Sequence, residues 1–76
     1  MSKFHVISTK TCKFCKEAAN LLEAEDLDYE VSYLEDDPYL KTLMALAKLT
    51  TVPQIFRPDG ELIGGYNHLK GYIGRI

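Results

Sequence analysis

The residue pattern predicts one α/β domain spanning residues 1-76, with elements in the order β-α-β-α-β-β-α. Three observations carry this. The spacing of apolar residues switches repeatedly between the period of two that suits a strand and the 3.6 that suits a helix. The last two short apolar runs flank Arg57-Pro58-Asp59-Gly60, a tetrapeptide with turn chemistry. Finally, 76 residues leave room for a single core, since independently folding units run from about 50 residues upward.

Phe4 to Ile7 is short, bulky and partly β-branched, and it runs into Ser8-Thr9-Lys10-Thr11, so it reads as a strand followed by a loop. Thr11 is the candidate cap of the next element. Phe14, Ala18, Ala19, Leu21 and Leu22 then recur at helical spacing, with Lys16, Glu17, Asn20, Glu23 and Glu25 on the other face, predicting a helix from about Cys12 to Glu25. Asp26-Leu27-Asp28 breaks the pattern. Tyr29, Val31 and Tyr33 alternate with Glu30 and Ser32, the signature of a half-buried strand.

Asp37 before Pro38 is a helix start, because proline at the first helical position gives up an N–H that has no partner there. Leu40, Leu43, Met44 and Ala47 mark the apolar side of this second helix, with Met44 in the core. It is expected to stop near Lys48 or Leu49, where Thr50-Thr51-Val52 before Pro53 favours extended backbone. Gln54-Ile55-Phe56 and Leu62-Ile63-Gly64 form the terminal hairpin, and Asn67 to Ile73 a short last helix. Tyr29, Tyr33 and Tyr39 read as core or rim packing. The first βαβ unit is expected to be parallel and right-handed, with the hairpin extending its sheet antiparallel and helices on both faces.

Composition narrows the function. Nine Lys plus Arg against eleven Asp plus Glu give a formal charge of −2, which argues against the cationic field used to bind nucleic acid or anionic membrane. No run approaches the roughly 18 apolar residues that cross a bilayer, and nothing signals export, so a cytoplasmic setting is expected. Only two cysteines are present, Cys12 and Cys15. A bridge between them closes too small a loop to remove much entropy from the unfolded chain, so they read as a redox or metal pair rather than a staple. A closed zinc site needs two further ligands, for which only His5 and His68 remain among Cys and His.

Placement at a strand-to-helix junction favours redox chemistry. Cys12 falls at the helix start, where unpaired N–H groups and the positive dipole end favour a thiolate, and Lys10, Lys13 and Lys16 add positive potential. Cys15, one turn on, is placed to displace a partner bound at Cys12. A C-x-x-C beside a βαβ pattern is the expected mark of a thioredoxin-like redox site. Thr51-Val52-Pro53 adds to it. A proline heading a strand is ordinarily trans, with about 5% of X-Pro bonds cis; a cis bond here turns the Val52 backbone outward as an edge for an extended peptide.

Thr11-Cys12-Lys13-Phe14-Cys15, Thr51-Val52-Pro53-Gln54-Ile55-Phe56 and Ile63-Gly64-Gly65-Tyr66, in this order and spacing, resemble the three signature segments of the glutaredoxin family, of the small bacterial or bacteriophage type. The resemblance implies a minimal thioredoxin fold, a cis Pro53 and a glutathione-dependent thiol–disulfide oxidoreductase acting on protein disulfides and glutathionyl mixed disulfides. It implies Cys12 as nucleophile and Cys15 as resolving cysteine; on ligand count, no metal is expected. A glutathione groove is implied at Phe14, Thr51, Val52, Pro53, Gly65, Tyr66, Asn67 and His68, with Gly64 and Gly65 allowing close backbone approach and Lys10 pairing with the glycine carboxylate. A monomer in the cytoplasm, or a host's cytoplasm, is implied, with ribonucleotide reductase among the clients. Two positions depart from the family pattern: Lys13 replaces the usual proline of C-P-Y-C, and His68 stands where an Asp commonly pairs with the ligand's amine. They leave open a redoxin reduced by thioredoxin reductase; an iron–sulfur or metal-binding module is a separate alternative, since an exposed thiolate together with glutathione can ligate a cluster.

Overall fold

Residues 3–74 are described in the computed structural model. The elements are β1 (Phe4–Ser8), α1 (Lys13–Ala24), β2 (Tyr29–Tyr33), α2 (Pro38–Leu46), β3 (Gln54–Phe56), β4 (Leu62–Gly64) and α3 (Tyr66–Ile73). The order is the expected one. The four strands form one mixed sheet, β2-β1-β3-β4, with β1 parallel to β2, antiparallel to β3, and β3 antiparallel to β4. Val6 is at its centre, opposite Val31 on one side and Ile55 on the other.

Alternation along β1 assigns the two faces. Phe4 and Val6 point to the side covered by α1 and α3, which pack against each other and against the sheet. Phe4, Val6, Ala18, Leu22, Ile55 and Leu69 are the buried cluster, and Val6, Leu22, Ile55 and Leu69 are fully enclosed. Phe4 meets Tyr72 edge to face at 6.0 Å. On the opposite face, His5 Nε2 and Ser32 Oγ are hydrogen-bonded at 2.8 Å.

Helix ends depart from expectation by a residue or two, each for a local reason. The cap of α1 is Cys12 and not Thr11: Cys12 has extended dihedrals, and its Sγ accepts the Cys15 N–H at 3.1 Å. α2 starts as expected, with Asp37 Oδ1 accepting from the Tyr39 N–H at 3.0 Å and Pro38 at the first turn. It ends at Leu46, short of Lys48. Lys48 takes φ 59°, and the Leu49 N–H then reaches back to the Met44 carbonyl at 2.9 Å, closing the helix before the β-branched run. α1 ends in the same way, with Asp26 at φ 59° and the Leu27 N–H on the Leu22 carbonyl at 3.0 Å. α3 begins one residue early, at Tyr66, with Gly65 as its cap.

α2 buries less than its pattern implied. Met44 is its one buried residue, while Tyr39 is 68% and Leu43 44% exposed. The 57–60 turn forms as expected. Gly60 has φ 93°, its N–H donates to the Arg57 carbonyl at 2.8 Å, and Arg57 is ion-paired with Asp59 at 2.8 Å.

Candidate active site

The loop from Thr9 to Cys12 carries the chain from the sheet to the start of α1. The Cys12 N–H donates to the Thr9 carbonyl at 3.3 Å, and buried Ser8 turns its hydroxyl onto the same carbonyl at 2.9 Å. The first cysteine is thereby held at the end of the helix. Cys12 and Cys15 are joined as a disulfide, with Cα atoms 5.3 Å apart. Cys12 is half-buried and Cys15 only 4% exposed, so an incoming thiol or disulfide reaches Cys12. The Cys15 N–H aimed at Cys12 Sγ belongs to the unpaired first turn of α1 and supports negative charge on that sulfur.

A cavity of about 200 Å³ adjoins the pair through Phe14, which stands between the two cysteines in sequence. Its lining consists of Phe14, Thr51, Val52, Pro53, Gly65, Tyr66, Asn67 and His68. They come from three separate stretches of the sequence, 14, 51–53 and 65–68, which the fold gathers. Phe14 is 55% exposed; it leaves the core face of α1 to stack on Tyr66 with ring centroids 5.9 Å apart. The Val52–Pro53 bond is cis.

Behind this wall, one feature was not read from sequence and one expectation changes. Gln54 is buried, and its Nε2 donates to the Thr51 carbonyl at 2.9 Å and to Thr51 Oγ1 at 3.3 Å, fastening the 51–53 loop from behind. Its one sequence signal is an amide heading an otherwise apolar strand. The second concerns the glycine pair. Gly64 has φ 123°, and a Cβ there meets the His68 ring at 2.9 Å, so glycine is required on both counts. Gly65 is different: its φ is −85°, and a Cβ there meets the Pro53 carbonyl oxygen at 3.7 Å, an ordinary contact. The close approach expected of both glycines therefore rests on Gly64.

Lys10 is not brought into the cavity lining. Its ammonium lies 2.9 Å from Asp36 Oδ1, and that carboxylate raises its proton affinity above the ordinary lysine value, first by hydrogen bond and then by charge. Lys13 and Lys16 are exposed on α1. Among the described residues, no three His, Cys, Asp or Glu side chains stand together as a metal site, and no helix is long and apolar enough to cross a membrane.

The only two sulfhydryl residues of the chain are already joined by a bond that two electrons open, and one of them is accessible. Dithiol–disulfide exchange is the chemistry this permits, and with the fold it defines a thiol–disulfide oxidoreductase of the thioredoxin class. Comparison with known proteins narrows the class: the family model described as Glutaredoxin matches residues 4–63, and the chain belongs to the glutaredoxin family. It is 31% identical to the glutaredoxin of Enterobacteria phage T4, over 82% of this chain and 84% of that protein. It is 38% identical to the hybrid peroxiredoxin hyPrx5 of Haemophilus influenzae, over 82% of this chain; the match spans a quarter (25%) of that longer protein. Among solved structures, the dithiolic glutaredoxin 2-C-Grx1 of Trypanosoma brucei brucei superposes with a TM-score of 0.83 at 33% identity, covering 97% of this chain and 79% of that one. The buckwheat glutaredoxin–glutathione complex has the same fold, with a TM-score of 0.81 at 22% identity, covering 97% and 70%.

Proposed function

We propose that the protein uses glutathione to reduce protein disulfides and glutathionyl mixed disulfides. The observation that supports this best is a cavity beside the disulfide lined by eight of the nine positions expected to bind glutathione, Lys10 being the exception. Glutathione is used across the family, and the buckwheat protein of this fold is a glutathione complex.

In this reading the reduced Cys12 thiolate attacks one sulfur of the substrate disulfide. A new S–S bond forms to Cys12 as the substrate bond breaks, and the departing thiolate takes a proton from solvent. Cys15 then attacks Cys12 Sγ, releasing the second substrate thiol and leaving the bridge of the present structure. Two glutathione molecules return the pair to the dithiol as they become glutathione disulfide, so electrons balance. The tripeptide backbone lies along Thr51 and Val52 ahead of Pro53, and Phe14 and Tyr66 form an aromatic wall. The first-turn N–H groups of α3, at Asn67 and His68, receive the γ-glutamyl carboxylate, since they lack partners within the helix. Lys10 receives the glycine carboxylate.

The client class is that of cysteine proteins whose own cycle ends in a disulfide. Ribonucleotide reductase is one by resemblance, and a peroxiredoxin is another, since a relative of this chain is a hybrid of that kind. The protein acts as a cytoplasmic monomer. One observation favours a second reading, reduction by thioredoxin reductase: His68 stands exposed on the cavity wall, where a carboxylate partner for the ligand's amine is usual. A coupled assay separates the two. Turnover of a mixed disulfide with glutathione, glutathione reductase and NADPH is expected; turnover with thioredoxin reductase alone would establish the rival.

A further inference from the structure

Lys10 is already engaged by the protein itself. Its backbone N–H donates to Glu35 Oε2 at 3.0 Å, its ammonium lies 2.9 Å from Asp36 Oδ1, and the Tyr33 ring centroid is 6.0 Å from the same nitrogen. All three partners come from the end of β2 and the turn after it, and Lys10 lies two residues before Cys12. The two acids do different things. Glu35 holds the backbone of the loop that leads into the thiol, whereas Asp36 holds only the side-chain charge.

Neither member of the ion pair is enclosed: the Lys10 side chain is 55% and the Asp36 side chain 58% exposed. Such a pair is weak, screened by salt and readily exchanged. An ammonium has three donors but a single charge, so a second carboxylate reaching Lys10 meets the attraction of the lysine and the repulsion of Asp36 together. We propose that Asp36 competes with the substrate for Lys10, and that this internal carboxylate sets the affinity for the glycine end of glutathionyl substrates. The inference rests on the glutathione reading above. It makes Asp36 a specificity-determining residue, acting through Lys10 without touching the reacting sulfurs. The cap of α2 is the next residue, Asp37, so changing Asp36 leaves that helix its cap.

The test uses the full chain with Asp36→Asn, Lys10→Met and the double variant. Binding of redox-inert S-methylglutathione is measured by calorimetry at low salt and at high salt, alongside KM and kcat for a glutathionylated peptide. Asp36→Asn is expected to tighten binding and lower KM about two- to fivefold at low salt, in line with the strength of exposed ion pairs, with kcat unchanged. The gain is expected to fade at high salt, and to vanish in the Lys10→Met background. Unchanged or weaker binding by Asp36→Asn overturns the proposal, as does equal tightening with Lys10 absent, which marks a general charge effect. If Lys10→Met binds S-methylglutathione as well as the unaltered protein does, the assignment of Lys10 is at fault, and the competitor role falls with it.

Discussion

The imidazole of His68 covers Gly64 so closely that a Cβ added there stands 2.9 Å from both ring Cγ and Nδ1. Gly64 also holds φ 123° at the end of β4, where it pairs with Ile55 and leads into the cap of α3. Gly64→Ala therefore meets a strained backbone and a blocked side-chain position. A loss of about 2 kcal/mol is expected, within the range for such conformations, read as a lower urea midpoint. Adding His68→Ala should recover the steric part and leave the backbone part; a Gly64→Ala protein as stable as the parent contradicts this account.

Leu22 carries the same kind of test into the core. It is fully enclosed, in the cluster with Val6, Ile55 and Leu69 where α1 and α3 meet the sheet. Leu22→Ala leaves a cavity that close neighbours cannot fill, at a cost of about 2–5 kcal/mol. In a domain this small that approaches the whole margin of stability. Far-ultraviolet circular dichroism in urea is expected to show a large fall in midpoint, and a shift of a few tenths of a molar would mean the site collapses freely.

What could be read before folding was whatever short stretches of chain decide for themselves. Asp37-Pro38 and Arg57 to Gly60 carry their own capping and turn chemistry, and the apolar period of β1, α1 and β2 is local, so those elements fall where expected. Six of the eight cavity positions were legible because three short motifs mark them, and Asn67 and His68 follow the third directly. The end of α2 was not, since a lysine at φ 59° gives no glycine-like signal. Nor can an apolar stripe reveal whether anything packs on it, as Tyr39 and Leu43 show. Lys10 went to Asp36 because the fold brings together loops 26 residues apart in sequence, and periodicity carries no information on such pairings.

Tyr29 links stability to alkaline pH. Burial raises its pKa above the ordinary 10.0, and its hydroxyl, donating to Glu23 Oε1 at 3.1 Å, raises it further. The folded state thus prefers the protonated phenol. Its contribution is complete below pH 10.0 and is lost as pH climbs from there through the higher folded value, because the unfolded chain ionises first. Tyr29→Phe gives up the hydrogen bond but has no proton to lose. Urea midpoints of the two proteins, compared at pH 8 and about one unit above the ordinary tyrosine pKa, are expected to converge or cross at the higher pH; a constant difference rules out the linkage.

The two cysteines should fail differently when replaced. Cys12 presents the reachable sulfur and Cys15 is 4% exposed, so Cys12→Ser removes the only point of attack and is expected to abolish turnover. Cys15→Ser keeps the backbone N–H that points at Cys12 Sγ from 3.1 Å, and with it the support for a thiolate. It is therefore expected still to strip glutathione from a glutathionylated peptide, because free glutathione can resolve the intermediate in place of Cys15. Reduction of protein disulfides, which depends on the second thiol, should fall by roughly tenfold or more, about 1.4 kcal/mol in the barrier. Mass spectrometry of Cys15→Ser caught during turnover should find glutathione on Cys12. Activity in Cys12→Ser, or an adduct on Cys15 in that variant, reverses the assignment of nucleophile and resolving thiol.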